Sequence, residues 1–211
     1  MVTRLGYVVM IITSFQLVSI LGCNKNRTSC ISTNATYSFS VSSKWSPQRE
    51  IYRVGDTIYF NSSFPKLLMD NIGNTQINYA NSVSLGGTIT MSQLDTIMRR
   101  SIPARTKFNI ISVTGGIQEL PNSPQNGTAN SYQETGTNCQ CKVGFICKEK
   151  GIFGFGVSDL LSSGLRGINC TKAGFSMTVI NSEKNFGLYL YALGFAPDAD
   201  GSRRGYCFRV Q

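Results

Sequence analysis

Histidine is absent from all 211 residues. A Ser-His-Asp or Cys-His nucleophilic site is therefore excluded, and zinc ligation is left to cysteines and carboxylates alone. Acids are scarce too, with 11 Asp and Glu against 20 Lys and Arg and a net charge of +9. They are spread singly through the chain, whereas glycoside hydrolysis needs two carboxylates brought together in a cleft. No apolar run reaches the roughly 20 residues of a spanning helix. The basic residues are scattered from Lys25 to Arg209, with Arg99-Arg100 and Arg203-Arg204 the only adjacent pairs. Neither pair is interleaved with aromatics as a nucleic-acid groove would be, so no nucleic-acid partner is expected. A solvated basic surface near anionic lipid or glycan is the milder explanation.

What is present begins with a short apolar stretch, Leu5 to Leu21, diluted by Thr13, Ser14, Gln16 and Ser19 and preceded by Arg4. This is the pattern of an n-region followed by an h-region, a cleaved signal. It ends in Ile20-Leu21-Gly22-Cys23, which resembles the bacterial lipobox. The resemblance implies cleavage before Cys23 and acylation of that cysteine, an anchor that needs no spanning helix because each buried methylene contributes about 0.8 kcal/mol. Residues 1–22 are then the signal peptide, 23–36 a polar lipidated tether and 37–211 one domain. With Arg4 removed, 19 basic residues remain against 11 acidic ones, a net +8.

Period-two alternation dominates the domain. Tyr37, Phe39 and Val41 alternate with Ser38, Ser40 and Ser42, and Thr57 to Phe60 is rich in β-branched and aromatic residues. Ser82 to Ile89 and Lys107 to Val113 read as further strands. Between them Ser92 as N-cap, Leu94, Asp95, Ile97, Met98, Arg99-Arg100 and Pro103 predict one short helix. Gln118 to Asn138 reads as a long loop. Cys139, Cys141, Val143, Phe145 and Cys147 share one parity, and Glu149-Lys150-Gly151 turns the chain into Phe153, Phe155 and Val157, predicting a β-hairpin. Gly174 to Ile180 and Gly205 to Val210 follow as strands, and Phe186 to Leu193 fits strand or helix equally. The expected fold is an all-β, antiparallel, immunoglobulin-like β-sandwich of about eight short strands with at most one short helix.

Val54-Gly55-Asp56-Thr57-Ile58, Asn78-Tyr79-Ala80-Asn81, Lys150-Gly151-Ile152-Phe153, Cys170-Thr171-Lys172-Ala173 and the ending Tyr206-Cys207-Phe208-Arg209-Val210 resemble a family of uncharacterised lipoproteins of Bacteroidetes-type bacteria. The resemblance implies a cell-envelope, outer-membrane lipoprotein with no assigned activity and no catalytic residues to carry over. Cys139, Cys141 and Cys147 depart from that family's pattern. Asn24-Lys25-Asn26-Arg27 lacks the acids that follow the lipidated cysteine of surface-exported members, which favours a periplasm-facing anchor.

The expected function is a membrane-anchored binding or structural module that meets an envelope protein or a glycan, without enzymatic activity, cofactor or metal. Tyr189, Tyr191 and Phe195 are candidates for a sugar-stacking platform, with core burial as the alternative. Asp198, Asp200 and Gly201 look like the start of a calcium loop but lack its closing acid. Two rival readings are a hydrolase with an unusual acid pair and a thiol redox or soft-metal protein built on Cys139-Gln140-Cys141. Of seven cysteines, Cys23 goes to lipid and six remain, Cys30, Cys139, Cys141, Cys147, Cys170 and Cys207. Residues i and i+2 on a strand lie about 6.6 Å apart with parallel side chains and do not bridge comfortably. The expectation is that at least two of Cys30, Cys170 and Cys207 are bonded to the Cys139–Cys147 strand.

Overall fold

The computed structural model describes residues 35–120, 127–180, 185–194 and 205–211. The signal, Cys23, Cys30 and nearly all of the tether lie outside them, as do Phe195 and the Asp198-Asp200-Gly201 stretch. In chain order the strands are β1 (Tyr37–Ser46), β2 (Ile51–Tyr52), β3 (Thr57–Pro65), β4 (Leu67–Met69), β5 (Gln76–Asn78), β6 (Ser82–Val83), β7 (Gly86–Asp95), β8 (Arg100–Pro103) and β9 (Phe108–Thr114). There follow β10 (Gly116–Glu119), β11 (Thr128–Ser131), β12 (Gln133–Thr135), β13 (Asn138–Cys147), β14 (Gly151–Val157), β15 (Leu160–Ser162), β16 (Gly164–Leu165), β17 (Ala173–Ile180), the helix α1 (Phe186–Leu193) and β18 (Gly205–Val210).

The result is a β-sandwich. One layer runs β13, β3, β1, β17, with β9 and β12 side by side along the outer edge of β13; the other runs β7, β14, β18, β2, flanked by β8, β11 and β10. β15 pairs with both β17 and β7, so the hydrogen-bonded path continues from one layer into the other. Phe39, Val41, Val143, Phe145, Phe153, Phe155, Phe175 and Met177 point inward as the alternation predicts, and the core adds Trp45, Ile58, Phe60, Ile89, Met91, Tyr206 and Phe208, for which the alternation predicts no parity. Trp45 sits at the junction, its ring centroid 5.4 Å from Phe60, 5.0 Å from Phe155 and 5.6 Å from Tyr206. Burying an aromatic side chain of this size contributes about 2 to 3 kcal/mol, so this spine is the main adhesive between layers.

Several expectations are corrected. The strand segments number eighteen among the described residues, and two pairings, β1 with β17 and β2 with β18, are parallel. Most of the additional segments are only two to four residues long, too short to leave a periodic trace in sequence. The expected helix around Leu94 is the β7–β8 hairpin, with Asp95 opposite Arg100. The features read as capping are turn chemistry: the N–H groups of Ile97 and Met98 donate to Asp95 Oδ1 at 2.9 and 3.0 Å. The described part of 118–138 is mostly strand, since β10, β11 and β12 extend the sheets there; 121–126 lie outside the described residues. β13 and β14 are not hairpin partners. β13 pairs with β3, β9 and β12, whereas β14 pairs with β7 and β18. The turn at Glu149-Lys150 therefore carries the chain across the sandwich, and the rings of Phe145 and Phe155 meet at a tilt, centroids 4.9 Å apart. Gly151 makes the crossing with φ of +154°, a conformation that residues with a side chain rarely adopt. Phe186 to Leu193 resolves to helix, ended by Gly194 in the left-handed region, and it covers Leu94 and Cys207 on the outer surface of the second layer.

Candidate functional site: the outer face of the first layer

The six cysteines expected to form bridges do not form that framework. Cys139, Cys141 and Cys147 are free and buried, pointing into the core from β13, and Cys207 is free and buried on β18. Cys207 packs beside Leu94, Ala192 and Leu193. It faces away from the core, on the far side of its sheet from the β13 thiols, and no bond can join them without unfolding the sandwich. Cys170 is disulfide-bonded, with its partner outside the described residues. Burial pushes the thiols of Cys139, Cys141 and Cys147 up to about 11 and that of Cys207 up to about 12. A reactive thiolate requires the opposite shift, so the redox reading loses its chemical basis. The Cys141 sulfur instead accepts a hydrogen bond of 3.7 Å from the Asn130 amide. No group of three or more His, Cys, Asp or Glu able to hold a metal occurs among the described residues.

Most of the described carboxylates are occupied locally. Asp70, 3% exposed, accepts N–H groups from Ser38, Ile72 and Gly73, and these hydrogen bonds, that from Ser38 foremost, hold its pKa below the ordinary value. Glu134 is disfavoured as an anion by partial burial, but the Lys66 ammonium at 2.9 Å and the Ser82 N–H outweigh this and leave its pKa lowered. Asp56 and Asp159 accept backbone N–H groups from Arg53 and Met177, while Glu119 and Glu149 pair with Arg105 and Lys107. Of the proposed sugar platform, Tyr189 packs against the cluster beneath α1 and Tyr191 is 72% exposed, so the two do not form one flat surface.

The most distinctive surface lies elsewhere, on the outward face of the first layer. Register places its residues in rows across the strands. Lys142 of β13 stands opposite Thr114 of β9 and Asn61 of β3; Asn61 stands opposite Lys44 of β1, and Lys44 opposite Ile180 of β17. In the neighbouring positions Gln140 faces Ser63, and Ser42 faces Thr178. With strands about 4.8 Å apart, the first row is about 19 Å long and its two lysines are about 10 Å apart. A groove of about 410 Å³ runs over these positions, lined by Ser42, Lys44, Asn61, Ser63, Gln140 and Lys142 among others. Ser42 and Ser63 also line a second depression of about 490 Å³, which reaches Leu67 and Met69.

The electrostatics of this face are one-sided. No acid occurs among the outward positions of β1, β3, β13 and β17, and neither Lys44 nor Lys142 has a carboxylate partner among the described residues. The Lys142 ammonium lies 5.0 Å from the centre of the Tyr59 ring, a cation–π contact that positions the charge without neutralising it. The Asn61 amide nitrogen donates to Ser46 Oγ at 2.8 Å and to the Tyr59 carbonyl at 3.2 Å. Chemically, the face offers hydroxyls, amides and two unpaired ammonium groups on rigid strands. The signal for it in the sequence is the run Ser38, Ser40, Ser42, Lys44, a strand whose outward side is all hydroxyl and ammonium. That run carries no information about which strands lie beside it.

No family model and no curated protein matches the chain. Solved structures to which it is similar include the human F-spondin reeler domain, at 13% identity over 70% of this chain and 94% of that one, with a TM-score of 0.34. Others are the second type II cohesin module of the ScaA scaffoldin of Acetivibrio cellulolyticus (12% identity, 66% and 92% covered, TM-score 0.33) and a cohesin module from a Clostridium perfringens family 33 glycoside hydrolase (10% identity, 65% and 99% covered, TM-score 0.29).

Proposed function

We propose that this protein is a binding module of a bacterial cell envelope, tethered through an acylated Cys23 to the outer membrane and facing the periplasm, which holds an acidic glycan without turning it over. The observation that carries this reading is the row Lys142, Asn61, Lys44, two unpaired cations flanking an amide on a face without acids. A polymer of acidic sugars presents carboxylates or sulfates amid hydroxyls, and hydroxyl and amide side chains on fixed strands match the latter while the lysines match the former. The apolar run ending at Gly22-Cys23 and the resemblance of the scattered motifs to envelope lipoproteins supply the cellular setting. The acids engaged in turns and ion pairs support a role without catalysis.

The test is binding of acidic and neutral polysaccharides by the wild-type chain and by a Lys44→Gln, Lys142→Gln variant. Each exposed charge contributes up to about 1 kcal/mol at low salt, so the acidic polymer should bind roughly fivefold more weakly for each lysine removed, and wild-type binding should weaken as salt is added. Equal binding of acidic and neutral polymers, or an unchanged affinity in the double variant, overturns the assignment. Cys23→Ser is expected to move the protein from the membrane to the soluble fraction of cells. Retention in the membrane would refute the anchor and leave the face untouched.

A further inference from the structure

The β7–β8 hairpin ends in Thr96-Ile97-Met98-Arg99, between the paired residues Asp95 and Arg100. Tight turns favour Gly, Asn, Asp and Ser, and this tip has none of them. Ile97 is 91% exposed and Met98 62%, two consecutive large apolar side chains held out in water. They are not there through slackness. Asp95 Oδ1 accepts the N–H groups of both, Arg99 adopts a φ of +51°, and the strand behind the turn is anchored by Leu94, buried under α1.

Among the described residues, the unpaired charges at the tip are the two arginines that follow Met98. Arg99 lies against the C-terminal end of α1, so close that a Cβ on Gly194 would fall 2.8 Å from its Cδ and 3.0 Å from its Cζ. A guanidinium there also meets the negative end of the helix dipole, a fixed location for an otherwise free charge. Arg100 follows at once. The acid in the turn, Asp95, is engaged by the two backbone N–H groups and lies within the field of Arg100. Neither arginine forms an ion pair among the described residues. Tyr191, three residues before Gly194, is 72% exposed.

We infer that this tip is a membrane contact: Ile97 and Met98 insert at the boundary between headgroups and acyl chains of a bilayer, and Arg99 and Arg100 take the phosphates of its anionic lipids. The combination of an apolar apex with adjacent cations is what an anionic bilayer surface rewards, since apolar burial and attraction to lipid charge add at the same depth. The inference does not depend on the groove of the first layer or on acylation of Cys23. It adds a second, weak and reversible point of attachment, too weak to hold the domain in a membrane fraction without the acyl anchor but enough to limit how it stands on a surface.

The test uses the full chain reconstituted into vesicles, with Ile97→Trp as the reporter and Ile72→Trp as its control. Ile72 is 66% exposed in the turn between β4 and β5, away from the hairpin. Trp45 is 4% exposed in the core and supplies a constant background. In vesicles of phosphatidylcholine and phosphatidylglycerol in equal parts, with brominated acyl chains as quenchers, the tryptophan at 97 should be quenched several times more strongly than that at 72. In pure phosphatidylcholine the difference should shrink. Arg100→Gln, alone and with Arg99→Gln, should lower the inserted population by about fivefold per arginine. The single Arg100 variant keeps the test sound if loss of Arg99 disturbs α1. Equal quenching at the two positions, quenching at 97 that is the same in neutral vesicles, or indifference to both arginine variants overturns the inference.

Discussion

Replacing Gly86 by alanine probes the joint on which the second layer depends. In β7 Gly86 lies opposite Ser131 of β11, and the four-residue pairing runs from there to Ile89 opposite Thr128. An added Cβ would stand 2.2 Å from the Asn130 carbonyl oxygen, 3.3 Å from its carbon and 3.4 Å from the Ser131 Cα. All three atoms are backbone, so no side chain can swing aside. The strands must separate by about 1 Å, weakening a ladder that also positions Asn130 over Cys141. Overpacking of this kind costs about 3 kcal/mol, which for a domain of this size lowers Tm by about 6 to 12 °C. Gly187→Ala is the control. It lies in α1 with no described atom outside its own helix within 4 Å of the added carbon, and it should stabilise by about 0.5 to 1 kcal/mol because alanine is the better helix former. Urea unfolding followed by Trp45 fluorescence measures both. A Gly86→Ala midpoint within error of wild type, with unchanged m, would refute the close packing of β7 on β11.

Two further outcomes follow from the titrating groups. Cys139, Cys141, Cys147 and Cys207, raised by burial from an ordinary 9.0, keep protons that the unfolded chain releases. The stability they contribute is therefore complete below about pH 9 and is lost as the pH rises through about 11, or about 12 for Cys207. A maleimide should label none of the four in the native state and all four in urea, and native labelling at neutral pH would contradict their placement. Asp70 behaves in the opposite sense. Its folded pKa lies below the ordinary 3.8, so its contribution is present above that value and is lost as the pH falls through the folded pKa. Asp70→Asn should flatten the acid limb of the stability profile, and an acid limb as steep as that of wild type would show that the Ser38, Ile72 and Gly73 N–H groups do not hold a carboxylate.

The alternation of residues by itself determined the strand character of this chain and which side of each long strand faces the core. Phe39 and Val41, or Cys139 to Cys147, have an inward parity that a period of two reveals without any knowledge of neighbours. Composition, with no histidine, excluded imidazole chemistry from these 211 residues. Tertiary structure decided what parity cannot express. Cysteines sharing one face suggested bridges to other segments, but the partner layer supplied aromatic rings and the far side of β18 took Cys207. The Cys147 to Phe153 stretch reads as a hairpin because a turn between two alternating runs is the same in sequence whether the strands pair edge to edge or stack face to face. Here they face one another across the core, Phe145 against Phe155, while β3 and β9 take the edges of β13 and β7 and β18 those of β14. Leu94, Ile97 and Met98 match helical spacing, yet Leu94 pairs into a sheet and Asp95 closes a turn, since the ladder to β8 and the cover of α1 outweigh a weak local propensity. The basic face is the clearest instance. Lys44, Asn61 and Lys142 are far apart along the chain, and only the register of β1, β3 and β13 brings them into one row.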